Sequence, residues 1–248
     1  GTYSLTPFSI EEITARDYIL THHPDVVISI IDASNLERSL FLALQLVELG
    51  RPTVFVLNMA DVAERKGISI NGDKLSELLG LPVVFTVGNK NRGTDAILDA
   101  AVNEKKLFTT GKKQRDIRFG KDIETAVNRV ETALRNAGVS KTGSLRWQAL
   151  KLLEDDAVIK QAFLECHGES SPDVLTVVQS ERGRIAALFE DEFEIVLTDD
   201  RYGVIAGIIK ETVTHLARRR VDISRNIDLV LTDRFFGIPV FIFFIWAM

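Results

Sequence analysis

The sequence contains a single cysteine, Cys166. One thiol excludes an internal disulfide framework and offers no cysteine-based metal cluster, and it suits a reducing compartment. Positive charge is not in excess: Lys and Arg total 30 against 35 Asp and Glu, for a formal net charge of -5 and a pI near 5.5. A broad nucleic-acid surface needs clustered cationic side chains, so that class of partner is excluded. Signal-peptide features are missing from Thr2–Glu12, which is mixed and partly acidic. There is no internal repeat and no low-complexity tract. What is present is ordinary for a folded protein, with 46% hydrophobic and 26% charged residues. The chain is long enough for one large domain or two small ones, each with its own core.

Strand-like and helix-like segments alternate in the first part. Asp25–Asp32 is a β-branched run of strand length, and Leu36–Leu49 follows with helical spacing (Leu36, Leu40, Ala43, Leu44, Val47) and stops at Gly50. Thr53–Leu57 and Pro82–Val87 are further apolar strands, and Asp73–Leu79 and Thr94–Glu104 further helices. Ser9 and Glu12 form a capping box that opens a helix through Leu20. Strands apolar throughout are buried on both faces, and with crossover helices between them they imply a parallel sheet. The expected class is an open α/β sheet.

The composition changes near Lys105. Gly111–Arg115 is a basic linker, and beyond it no strand is expected. Ile123, Ala126, Val127, Val130, Ala133 and Leu134 recur at helical spacing up to Gly138. Further helices are expected over Ser144–Glu154, Asp156–Cys166, Pro172–Glu192 and Arg201–Arg220, then a connector over Ser224–Arg234. The uncharged run Phe235–Met248 is shorter than the roughly 20 apolar residues of a spanning helix. It is expected to be the beginning of a membrane helix cut by the end of the chain; a buried C-terminal helix is the alternative.

In an open parallel sheet, ligands bind beyond the carboxyl ends of the strands. Three strands end in polar residues: Asp32, then Asn58-Met59-Ala60-Asp61, then Val87-Gly88-Asn89-Lys90. Asn-x-x-Asp directly after a buried strand resembles the base-reading element of GTP-binding proteins. A carboxylate at Asp61 can accept hydrogen bonds from guanine N1–H and from its 2-amino group. Adenine offers an acceptor at N1 and no amino group at C2, leaving the carboxylate unpaired, which costs more than about 1–3 kcal/mol. Asn58 would bond the purine N7 side and tie neighbouring loops together. Taken alone, Asp61 also reads as a cap on the following helix. Its place between a strand end and a second strand-end loop favours base reading. In that second loop a backbone N–H would meet guanine O6, with Gly88 standing where a small Ser or Ala is usual; a backbone contact tolerates the change.

Several segments together resemble the FeoB family of ferrous iron transporters. They are Gly1-Thr2-Tyr3-Ser4-Leu5, Asp32-Ala33-Ser34-Asn35-Leu36-Glu37-Arg38, Asn58-Met59-Ala60-Asp61, Arg146-Trp147 with Ala149–Glu154, Asp200-Arg201-Tyr202 and Asp233–Pro239. The resemblance implies a partial P-loop GTPase sheet lacking its N-terminal strands over residues 1–111, a small all-α regulatory linker over 112–232, and the start of the first transmembrane helix over 233–248. It implies nucleotide contacts at Gly1, Asn58, Met59, Ala60, Asp61, Val87, Gly88 and Asn89, with no catalytic residue in the chain. Gly1 would end an Asp-x-Pro-Gly element whose N–H approaches the γ-phosphate, and Thr2–Ser9 would belong to switch II. GTP or GDP would be the ligand, with Mg²⁺ in the intact protein and Fe²⁺ passing through a membrane domain. The location implied is the inner (plasma) membrane with this region cytoplasmic; homo-oligomerisation is left open. The helical part would favour GDP binding and pass nucleotide state to the pore.

No Gly-x-x-x-x-Gly-Lys-(Ser/Thr) occurs; Gly111-Lys112-Lys113 and Ser140-Lys141-Thr142-Gly143 lack its spacing. Without that loop of N–H groups, its Lys and its metal-holding hydroxyl, these residues alone are expected neither to hydrolyse GTP nor to bind it tightly. Two rival readings share the base-reading loops: a soluble GTPase of ribosome or tRNA maturation, and a degenerate G domain serving as a non-catalytic scaffold. The remaining candidates have plainer readings. Cys166-His167 ends a helix without metal-ligand partners, His22-His23 is a surface turn, and Asp32 is as much a turn residue as a functional one. Arg218-Arg219-Arg220 reads equally as a solvated helix end and as a cytoplasmic flank of the apolar run.

Overall fold

The computed structural model describes residues 10–110, 117–139, 144–168, 171–215 and 246. Three strands, β1 (Val27–Asp32), β2 (Thr53–Asn58) and β4 (Val83–Phe85), form a parallel sheet in the order β1-β2-β4. Helices α1 (Ile10–His22), α2 (Leu36–Leu49), α3 (Ala60–Arg65), α4 (Gly72–Leu79) and α5 (Thr94–Thr109) are interleaved with them. The α/β class follows from the apolar runs as expected. β2 lies in the middle, and Val54, Phe55, Val56 and Leu57 are fully buried, as a strand covered on both faces requires.

Among the described residues β1 is the outer strand, with Ser29 and Ile31 buried on the face beneath α2 and Ile28 and Ile30 42% and 65% exposed on the face where α5 packs over β2 and β4; the burial expected of β1 on both faces is met on the α2 face alone. α3 and the short strand β3 (Ile68–Ile70) were not anticipated. Each is too short to display a hydrophobic period.

A helical layer follows: α6 (Lys121–Asn136), α7 (Leu145–Leu153), α8 (Ala157–His167), α9 (Ser171–Phe189) and α10 (Phe193–Thr212). The α6 stripe Ile123, Val127, Val130 and Leu134 is buried against α7 and α9. Two caps fix the next helices. Ser144 Oγ accepts from Trp147 N–H at 3.3 Å, and Asp156 Oδ1 accepts from Val158 and Ile159 N–H at 3.1 and 3.2 Å. α10 was expected over Arg201–Arg220 but begins at Phe193 and ends at Thr212. The cause at its start is Glu190, whose left-handed φ of 60° ends α9, and Glu192, whose extended backbone starts a fresh helix. At its end the β-branched pair Val213-Thr214 leaves the helix to form β5 (Val213–His215), which pairs with β3; Asn71 N–H donates to the Thr212 carbonyl at 2.8 Å. The expectation of no strand beyond the linker is corrected accordingly.

The described residues up to Thr214 form a first compact unit. In the first, α2 lies between the sheet and helices α7 and α10, and every residue from Ala43 to Leu49 is buried. That includes Glu48, which explains a buried ionic cluster. Arg201 of α10 donates to Glu48 from Nε at 2.9 Å and Nη2 at 2.7 Å, and to Glu154 from Nη1 at 2.6 Å; Lys151 also donates to Glu154 at 2.6 Å. Burial disfavours these charges, but Lys151 and Arg201 hold the Glu154 carboxyl below its usual range, and Glu48 with Glu154 keep Arg201 firmly protonated. A second tie runs from α1, where Arg16 Nη1 donates at 3.0 Å to the α8 cap Asp156.

Gly1, the segment Thr2–Ser9 expected in switch II, the expected linker Gly111–Arg115, Arg218–Arg220, the expected connector Ser224–Arg234 and, Trp246 apart, the run Phe235–Met248 lie outside the described residues. Among the described residues no helix is long and apolar enough to cross a membrane.

Candidate functional site

The register of β1 on β2 sets Asp32 beside Asn58 at the carboxyl ends of the strands, and β4 ends with Phe85 beside Leu57. The loops that leave β2 and β4 therefore start side by side. Asn58 binds them together: its Oδ1 accepts from Gly88 N–H at 3.0 Å and from Thr86 Oγ1 at 3.2 Å. Ala60 N–H donates to the Thr86 carbonyl at 3.2 Å, and Thr86 N–H to the Leu57 carbonyl at 2.9 Å. The tie between loops expected of Asn58 is thus present in the fold.

Met59 turns the chain between Asn58 and α3 with a left-handed backbone, φ 58° and ψ 32°, which is unusual for an unbranched apolar residue and is held by the bonds of its neighbours. It occupies the cap position of α3 without a side-chain bond to the helix. Asp61 lies in the first turn of α3, so it is not the cap that the plainer reading required, although a carboxylate there still suits the helix dipole. Its Oδ2 accepts from Lys90 Nζ at 2.8 Å and from Arg65 Nη1 at 3.0 Å. The Lys90 hydrogen bond, foremost, and the Arg65 one outweigh partial burial and hold the Asp61 carboxyl below the usual carboxylate range.

The second loop is a single 3-10 turn over Gly88–Lys90. Val87 N–H donates to the Arg92 carbonyl at 3.0 Å and Arg92 N–H returns to Val87 at 3.3 Å, while Lys90 N–H donates to Val87 and Asn91 N–H to Gly88. Val87 is buried beneath the turn; Gly88 and Asn89 are exposed. Since Gly88 N–H is engaged by Asn58, the amide of Asn89 is the next one along the turn. A Cβ on Gly88 would lie 3.4 Å from Asn58 Oδ1, an ordinary contact, so a small side chain fits there and glycine is not demanded. Gly93 is different: at φ +80° a Cβ would lie 2.3 Å from the Phe85 carbonyl oxygen. Only glycine lets α5 start this close to the end of β4. The strand-end motifs do not mark Gly93, Thr86 or Arg65, and they place Lys90 in the second loop without a partner. Arg65 had a legible signal, four residues after Asp61 on a helix; Lys90 as an Asp61 partner had none, because the contact depends on how two loops meet.

Asp32 proves a turn residue: its Oδ1 accepts from Ser34 N–H at 2.7 Å and caps the 3-10 turn Ala33–Asn35. Lys66 Nζ in turn donates to Ser34 Oγ at 3.1 Å. Cys166 is exposed. Among the described residues no group of three or more His, Cys, Asp or Glu side chains is arranged to hold a metal ion.

Two family models match this chain: ferrous iron transport protein B over residues 1–101, and the FeoB cytosolic helical domain over residues 119–214. Among curated proteins it is 34% identical, over its whole length, to an Fe(2+) transport protein A/Fe(2+) transporter FeoB fusion protein of Porphyromonas gingivalis. It is 32% identical, again over its whole length, to the Fe(2+) transporter FeoB of Escherichia coli. The chain spans 30% and 31% of the length of these relatives. Among solved structures it resembles a GDP-bound point mutant of NFeoB from S. thermophilus, with a TM-score of 0.75, 31% identity, and coverage of 86% of this chain and 79% of that one. The mGMPPNP-bound NFeoB from S. thermophilus gives a TM-score of 0.73 at 31% identity, covering 88% of this chain and 79% of that one.

Proposed function

This chain belongs to the ferrous iron transport protein B (FeoB) family, and on that premise we propose that it is part of the cytoplasmic guanine-nucleotide switch of a membrane Fe²⁺ uptake transporter. Residues 1–111 would carry the base-reading half of the G domain, 112–232 the helical linker and 233–248 the start of the first membrane helix. The observation that carries the reading is the pairing of the two strand-end loops, with Asn58 bridging them and the Asp61 carboxylate beside the bridge. The GDP- and mGMPPNP-bound states of the solved relatives support guanine nucleotides as the ligand.

In this site Asp61 accepts guanine N1–H and the 2-amino group, Asn58 faces the N7 side, and the amide of Asn89 donates to O6. Met59 and Ala60 set the turn that aims Asp61, and Val87 and Gly88 form the floor of the second loop. An adenine there would leave an ionised carboxylate without donors from the base, which costs more than about 1–3 kcal/mol and favours guanine tenfold or more. The Mg²⁺ implied by the family would bind with the phosphates. The described residues offer no ligand set for it, and Gly1 alone among the nucleotide contacts belongs to the phosphate side.

The test is a titration of the full-length protein with GTP and ATP, repeated with Asp61→Asn. Guanine preference should fall by at least tenfold in the variant; an unchanged preference would overturn the assignment of Asp61. The soluble ribosome- or tRNA-maturation GTPase and the non-catalytic scaffold are not favoured, because both family models that match describe a ferrous iron transporter.

A further inference from the structure

Resting on the reading that Asp61 receives guanine, we propose that Lys90 sets how strongly guanine is preferred over hypoxanthine, by competing with the 2-amino group for one oxygen of Asp61. Lys90 Nζ and Arg65 Nη1 both donate to Oδ2, at 2.8 and 3.0 Å. A carboxylate oxygen accepts about two hydrogen bonds, so these two cations fill the capacity of Oδ2 and neither uses Oδ1. Guanine brings two donors, N1–H and the 2-amino group, and needs one oxygen for each. Hypoxanthine lacks the amino group and brings N1–H alone. A hypoxanthine nucleotide can therefore bond Oδ1 with both cations in place. Guanine cannot complete its second bond until one cation leaves Oδ2.

The geometry points to Lys90 as the one that leaves. Arg65 stands four residues after Asp61 on the same helix, so its contact stays within α3 whatever the other loop does. Lys90 reaches across from the loop after β4, its side chain is 50% exposed, and it ends in a point charge on a flexible stem. It spans the same two loops that Asn58 joins through Gly88, and so it holds the carboxylate where both base-reading loops meet. Lys90 competes for Oδ2 while guanine is still bound, and so hastens its release. A general effect of the lysine charge on the phosphates is common to both nucleotides, so it cancels in the ratio of their affinities.

The experiment measures GDP and IDP affinities and release rates in the full-length protein and in Lys90→Met and Lys90→Arg variants. An exposed ion pair is worth little, so removing the competitor should raise the GDP-over-IDP affinity ratio about two- to fivefold in Lys90→Met. The gain should arise from tighter, slower-leaving GDP, with IDP affinity unchanged. Lys90→Arg, which keeps a cation, should keep the ratio of the unmodified protein. An unchanged or lower ratio in Lys90→Met overturns the proposal. Asp61→Asn, assayed for GDP against ADP alongside, separates the two failures. If it abolishes guanine preference while Lys90→Met leaves the ratio unmoved, only the role of Lys90 falls; if it leaves guanine preference intact, base reading by Asp61 falls as well.

Discussion

Replacing Arg201 by Met tests how the helical layer is fastened to the α/β sheet. The guanidinium is 1% exposed and joins Glu48 of α2, 2% exposed, to Glu154 at the end of α7. In Arg201→Met the volume is roughly kept, Glu154 retains Lys151, and Glu48 loses both of its bonds to the guanidinium. A buried carboxylate left without its partner is costly, and breaking a buried pair by removing one side typically costs roughly 3–5 kcal/mol.

Urea unfolding at pH 7, followed by fluorescence of the buried Trp147 and by circular dichroism, measures the loss. The double variant Glu48→Gln, Arg201→Met should recover at least half of it. A loss below about 1 kcal/mol would refute the reasoning.

Further outcomes are expected elsewhere. Gly93→Ala should destabilise the chain by more than about 1 kcal/mol in thermal unfolding, because of its positive φ and the 2.3 Å approach to the Phe85 carbonyl, whereas Gly88→Ala should change stability little. Asn58→Ala removes the acceptor of Gly88 N–H and Thr86 Oγ1; in the full-length protein guanine affinity should fall, read by nucleotide titration. The depressed Asp61 pKa means that its carboxylate stays ionised as pH falls through the usual carboxylate range, and that guanine preference is lost only as pH falls through the lowered value. Titrations at stepwise lower pH check this, and Lys90→Met should move the loss to higher pH. The 248-residue chain alone should show neither GTP hydrolysis nor tight GTP binding, since it lacks a phosphate loop; measurable turnover would contradict that expectation.

Much of the fold was legible because period reports burial. The helical spacing of Leu36, Leu40, Leu44 and Val47 gave α2 its bounds, and the continuous apolar run of β2 placed it in the middle of a parallel sheet. The strand-end Asn58-x-x-Asp61 was legible too, because a polar motif straight after a buried strand has few structural reasons to exist. The pairing of Lys90 with Asp61 was not, since it follows from where a second loop stops. Glu48 and Arg201 lie 153 residues apart, and each alone reads as a solvated charge on a helix.

By itself, then, the order of residues determined which segments are strands and helices and where polar groups crown the sheet, since backbone geometry and side-chain polarity act over a few neighbours at a time. Only the tertiary structure decided that Ala43–Leu49 of α2 is buried with Glu48 neutralised by Arg201 of α10, and that one oxygen of Asp61 is shared by two cations. Those facts depend on which surfaces meet in space, and a buried charge or a saturated acceptor is defined by what surrounds it.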